Sequence, residues 1–240
     1  MSSSSLIEKR IKLEKLVSNT EICNPSTELS IYDLMVKARV DYDRKLETGL
    51  DEILTAFESK GKDTSDLSSE MKIKSELLQW RNLYGHAPAY IFVVNFDPMN
   101  KNHTQHIFSG RTDRDCVGKS ISNPELIDEI CSIAYEDNAI LVKSDGIIHA
   151  TNVHLINLNP HDIPNNRDPS HINFYSHYGF KQHVHTRHFS SLAASYHLPE
   201  LIVYTLSEAG FIRRFSGGKI TFSTLNREES LVNLPPPEVV

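Results

Sequence analysis

The sequence predicts a mixed α/β protein: a largely β-sheet central domain flanked by helices and preceded by an α-helical N-terminal region. Three observations carry that expectation. Over residues 1–84 apolar residues recur at helical spacing among Lys and Glu. From Gly85 onward, short runs rich in β-branched and aromatic residues alternate with turn residues. Within that second part, the segments opening at Asn123 and Thr186 return to a helical pattern. The chain therefore divides into residues 1–84, a helical region for regulation or oligomerisation, residues 85–228, the main domain, and residues 229–240, a Pro-rich tail.

The first helical pattern holds Leu6, Ile7, Ile11, Leu13, Leu16 and Val17. A second begins near Ser30 and carries Tyr32, Leu34, Met35, Ala38, Leu46, Leu50, Ile53, Leu54 and Phe57. The polar stretch Ser59–Glu70 breaks the pattern, and Met71, Ile73, Leu77, Leu78, Trp80 and Leu83 form a third. Ala89–Phe96 reads as a strand bounded by Pro88 and Pro98, with His106–Arg111 as its partner across a loop. Asn123–Asp137 reads as a helix capped by Asn123 with Pro124 in its first turn. "AILVKSDGIIHATNVHLINL" gives short strands broken at Ser144–Gly146 and again near Thr151–Asn152. A long loop with Pro160, Pro164 and Pro169 follows, and residues 160–182 read as an insertion. "LIVYTL", "FIRRF" and "ITFST" then form short strands joined by the turns "SEAG" and "SGGK".

Composition narrows the function classes. At 39% hydrophobic and 23% charged residues the chain is ordinary for a soluble globular protein. A net charge of −6 gives no general attraction to nucleic acid or to an anionic membrane, so neither is expected as a partner. The three cysteines lack CxxC spacing, which argues against a disulfide framework and a zinc knuckle. No apolar run has the length of a bilayer span, and the N-terminus has no signal-peptide core, so a cytoplasmic location is expected.

"HVHTRHFSSLAAS", residues 183–195, holds the most chemistry. Phe189, Leu192, Ala193 and Tyr196 share one helical face. Thr186 stands at the N-cap position, with Arg187 and His188 in the first turn. Free N–H groups at a helix start and an Arg fork suit a phosphate. His183, His185 and His188 also make HxHxxH, which suggests a zinc-dependent hydrolase, but Arg187 stands where that motif needs an Asp. Asp145-Gly146 puts a carboxylate at a strand junction; the alternative is a plain turn. Ser207 and Glu208 can meet phosphate and metal, or form a simple hairpin turn.

Taken in order, "DGI" (145–147), "HTRHFSSLAAS" (185–195) and "LIVYTLSEAGFIRRFSGGKI" (201–220) resemble the DGA, GTRHR and Ser-Glu motifs of the diadenylate cyclase (DAC) domain, found in cyclic di-AMP synthases. The resemblance implies a nucleotidyltransferase in which two domains face each other as a homo-oligomer. Each holds one ATP with a divalent metal, Mg or Mn. Each 3′-hydroxyl attacks the other ATP's α-phosphate, and two pyrophosphates leave. It implies Asp145, Arg187 and His188 as catalytic residues and Gly146, Ile147, Thr186, Arg187, His188 and Ser207 as ATP-binding. Asp145 and Glu208 would hold the metal. The sequence departs from the family at His185 for Gly, Phe189 for the second Arg and Ile147 for Ala, with Arg167 or Lys181 as replacement cations. The alternative is a non-catalytic nucleotide-binding sensor of the same fold.

Overall fold

A computed structural model describes residues 3–19, 23–59, 87–133, 138–158, 163, 178–181, 184, 186–225 and 228. The third helical pattern, from Met71 to Leu83, lies outside the described residues, as do His183, His185, Arg167 and most of the 160–182 segment. The described chain is a mixed α/β fold: helices on both faces of a seven-stranded sheet. Its elements are α1 (Ser3–Val17), α2 (Pro25–Ser59), β1 (Tyr90–Val94), α3 (Lys101–Thr104), β2 (Ile107–Phe108), α4 (Ile127–Ile133), β3 (Ala139–Val142), β4 (Ile148–Leu155), α5 (Thr186–His197), β5 (Ile202–Leu206), β6 (Ile212–Ser216) and β7 (Lys219–Ser223). A 3-10 turn, Pro124–Leu126, leads into α4.

The sheet runs β2-β4-β3-β1-β5-β6-β7. At its centre β1 pairs parallel with β3 and antiparallel with β5. The segment beginning at His106 was expected to partner β1. Instead β2 holds the sheet edge against β4, because β3 and β5 take both sides of β1. β4 is continuous through Thr151–Asn152, where a break was expected; Asn152 absorbs the irregularity at φ 54°.

Strand alternation divides the core. Tyr90, Phe92, Val94, Ile140, Val142, Tyr204 and Phe222 face a layer built by α1, α2 and α4. Ile91, Val93, Leu141, Val203, Phe215 and Ile220 face α5 with Leu192, Ala193 and Tyr196. β1 is therefore buried on both sides and reads as a continuous apolar run.

α2 begins earlier than its apolar pattern indicates. Asn24 accepts from the Ser26 N–H at 3.0 Å and Pro25 opens the helix, a capping arrangement that places Glu28 in the first turn. Ile31, Tyr32, Met35 and Ala38 then pack on the sheet layer. The neighbouring arginines of β6 point to opposite faces. Arg214 meets Glu28 of α2 at 2.6 Å, and Arg213 meets Glu228 at 2.7 Å, all four side chains being buried. Asn123 caps the turn before α4 by accepting from the Glu125 N–H at 3.0 Å, as its position in the sequence predicts. No helix among the described residues is long and apolar enough to cross a membrane.

Candidate functional site

The amphipathic run at 186–197 forms α5, whose apolar side seats it on the sheet and turns its first residues toward a cavity of about 870 Å³. That volume lies within the usual range for a small-molecule site. Thr186, Arg187, His188 and Ser190 line it from α5. Ser207, Glu208 and Ala209 line it from the β5–β6 turn, and Asn138 and Ala139 from the start of β3. α2 adds Arg39, Tyr42 and Leu46, and β6 adds Arg213.

The helix starts at Thr186 itself, so Thr186 is a first-turn residue rather than the cap that the sequence indicates. Thr186, Arg187 and His188 thus form the first turn of the helix, at its positive end. Burial pulls the Arg187 guanidinium below its ordinary value, and the neighbouring charge of Glu208 partly offsets this. Arginine remains cationic under such a shift, and a partly desolvated cation is a strong partner for phosphate.

The β5–β6 turn is held tightly. The Gly210 N–H donates to Ser207 O at 2.8 Å, and the Phe211 N–H donates to Ser207 Oγ at 3.0 Å. Gly210 has φ +86°, and a Cβ there would meet Arg39 Nε at 2.9 Å. This open space lets Arg39 reach across and donate from Nη1 to the Glu208 carbonyl at 2.6 Å, while its other nitrogens hold Asp43. The turn keeps the Ser207 hydroxyl and the exposed Glu208 carboxylate at the cavity.

Asp145, Gly146 and Ile147, expected beside Arg187, are not part of this wall. Asp145 sits in the β3–β4 turn, beyond Val142, whereas the cavity opens at the other end of β3, by Ala139. The Gly146 N–H donates to Lys143 O at 3.0 Å, and Asp145 Oδ1 accepts from the Ile147 N–H at 3.0 Å. Asp145 also pairs with Lys143 at 3.4 Å. This is the plain turn reading of Asp-Gly. Gly146 is required there for another reason: φ is +83°, and a Cβ would meet Thr27 Oγ1 of α2 at 2.8 Å. Asp145 borders a separate cavity of about 360 Å³ with Asn95, Asp97, His103 and Glu200. His103 is fully engaged there, accepting at Nδ1 from the Asp97 N–H at 2.9 Å and bonded through Nε2 to Glu200 at 2.6 Å.

The structure thus brings together Thr186, Arg187, His188, Ser207 and Glu208 and leaves Asp145–Ile147 apart. It adds Asn138, Ala139, Arg39 and Arg213, which sequence reasoning passed over. A signal existed for the first two: Asp137-Asn138-Ala139 differs from Asp-Gly-Ala at one position. Asp137 lies outside the described residues; the Asn138 amide donates to Asn152 Oδ1 and ties the start of β3 to β4. Phe189, in place of the family's second Arg, packs edge-on against Tyr178 and Phe180. Lys181 is exposed and does not line the cavity.

Among the described residues no group of three or more His, Cys, Asp or Glu gathers to hold a metal ion. Glu208 alone is compatible with Mg²⁺ or Mn²⁺, since such ions are commonly held by one or two carboxylates plus the phosphates of a bound nucleotide. No protein-family model matches the chain, and no curated protein matches it.

Proposed function

We propose that the chain is a diadenylate cyclase, binding ATP in the 870 Å³ cavity and forming cyclic di-AMP between two facing copies. The observation that carries this reading is the convergence of one helix start, Thr186–His188, with one turn, Ser207–Glu208, on a single cavity. The helix-start N–H groups and Arg187 receive phosphate oxygens. Ser207 donates to a phosphate from the opposite wall. In the reaction each 3′-hydroxyl oxygen bonds to the partner ATP's α-phosphorus as the bond to pyrophosphate breaks, and the hydroxyl proton passes to solvent. Such transfers depend mainly on positioning and charge neutralisation, which an Arg, a helix start and a divalent ion supply. Glu208 would hold that ion, and the ion would neutralise charge developing on the departing pyrophosphate.

Asp145 has no part in this reading. By sequence, Asp137-Asn138-Ala139 is the better counterpart of the family's Asp-Gly-Ala, because Asn138 and Ala139 line the cavity. The test is incubation with ATP and Mn²⁺, followed by mass spectrometry. Cyclic di-AMP is expected from the wild type and from Asp145→Asn, and is expected to be lost in Asp137→Asn and Arg187→Ala. Product lost in Asp145→Asn while Asp137→Asn stays active would overturn the assignment.

A second reading, a non-catalytic nucleotide sensor, is favoured by Phe189, whose aromatic contacts leave the cavity one cation short of the family pattern. ATP binding without product would select it. The zinc hydrolase reading is disfavoured, because His188 Nε2 lies 2.9 Å from an arginine nitrogen.

A further inference from the structure

Arg213 is fully buried, and all three of its guanidinium nitrogens are used. Nε and Nη2 form a fork on Glu228, at 2.7 and 2.8 Å. Nη1 lies 2.9 Å from Nε2 of His188. Glu228 is itself fully buried and saturated: it also accepts from Ser223 Oγ at 2.7 Å and from the Lys181 N–H at 3.2 Å. The Phe180 ring closes the arrangement, edge-on to the His188 ring at 6.1 Å and 5.6 Å from the Arg213 guanidinium carbon.

Arginine has donors only, so Nε2 of His188 must accept. The ring proton then sits on Nδ1. A buried ion pair is weak as a stabilising device, and apolar residues of like volume often replace one without loss. What such residues cannot replace is the third arm, which reaches a side chain in the cavity wall. We propose that Arg213 and Glu228 are positioning residues of this site: they fix the tautomer and orientation of His188 and so set how the start of α5 receives a phosphate. The proposal rests on the reading of the cavity as a nucleotide site. It also gives the segment after β7 a role there, since Glu228 comes from that segment.

Glu228→Gln leaves a buried guanidinium without its counter-charge and is expected to fold poorly. The deciding variant is therefore Arg213→Met/Glu228→Met, which removes both charges together and is expected to fold. Two measurements are made on the full chain: ¹⁵N correlation spectra of the histidine rings, with His188 assigned by its loss in His188→Gln, and calorimetric titration with ATP. In the wild type His188 is expected to show a protonated Nδ1 and a bare Nε2. In the double variant the tautomer is expected to shift, and ATP affinity to fall by about tenfold, the scale of one hydrogen bond to a charged group. A folded double variant with wild-type ATP affinity would reduce the pair to a structural role and overturn the proposal. So would a wild-type His188 protonated on Nε2, or a double variant in which the tautomer does not move. Failure of the wild type to bind ATP would sink the nucleotide reading instead, and the ring spectra would still decide whether the pair sets His188.

Discussion

Arg187 and Gly210 show how single residues shape the cavity. Arg187 is a half-buried cation at a helix start, beside the charge of Glu208. On the proposed nucleotide reading, replacing it with Ala removes a charge-assisted contact to phosphate, and ATP affinity is expected to fall by about tenfold or more, since hydrogen bonds to charged groups are worth about 1.5–3 kcal/mol. Arg187→Lys keeps the charge but loses the fork, so titration calorimetry should place it between wild type and Ala. Gly210 acts by what it lacks. Its positive φ and the 2.9 Å approach to Arg39 Nε mean that Gly210→Ala must both strain the turn and displace Arg39. Thermal unfolding should show a loss of about 1 kcal/mol or more. On the proposed nucleotide reading, ATP affinity should fall with it, because Arg39 bonds the carbonyl of Glu208.

At the scale of elements, Glu28 joins α2 to the sheet. It receives two nitrogens of Arg214 and the Tyr204 hydroxyl. Burial lifts the Tyr204 hydroxyl well above its ordinary value, reinforced by the Glu28 charge. Burial works against the Arg214 charge, but Glu28 and Tyr204 outweigh it and the net direction is upward. Glu28→Gln leaves Arg214 buried and unpaired, and denaturant titration should show a loss of about 3–5 kcal/mol. Glu28→Met with Arg214→Met should recover most of it. This anchoring was not legible in the sequence, where Glu28 and Arg214 look like ordinary surface charges. The strands β1 and β5–β7 were legible, because continuous or alternating apolar runs bounded by turn residues leave little choice. Their pairing was not: a strand buried on both faces carries no pattern that names its neighbours. The start of α5 was legible from Thr-Arg-His before an apolar helical face. The separation of Asp145 from this cavity was not legible, because a strand has two ends and its sequence does not say which one faces the cavity.

Across the whole molecule, the layer beneath α2 links distant parts of the chain. Cys23 precedes α2 and Cys116 lies before α4; both are buried in the same apolar core as residues of α1 and the sheet, with Cys131 of α4 packed against it. Burial pushes the Cys23 thiol up to about 12, helped by the charge of Glu28. Burial likewise pushes Cys116 up to about 11, with Glu129 adding to it, and raises Cys131. The Cys23 and Cys116 thiols are protonated and shielded in the native state, so at pH 8 a thiol reagent should reach them slowly until the chain opens. The sign for stability follows. Unfolded thiols ionise near their ordinary value of 9.0, folded ones only near 11 and 12, so their contribution is fully present below pH 9 and lost as pH rises toward 12. The order of labelling tests the architecture. If α1 and α2 open together with the sheet, Cys23 and Cys116 should label at the same rate and with the same denaturant dependence. Faster labelling of Cys23 would mean that the helical pair lifts off by itself, breaking the Glu28–Arg214 bond and carrying Arg39 away from the cavity. The buried anchor at Glu28 argues for the first outcome, since that opening would strand Arg214 without its partner.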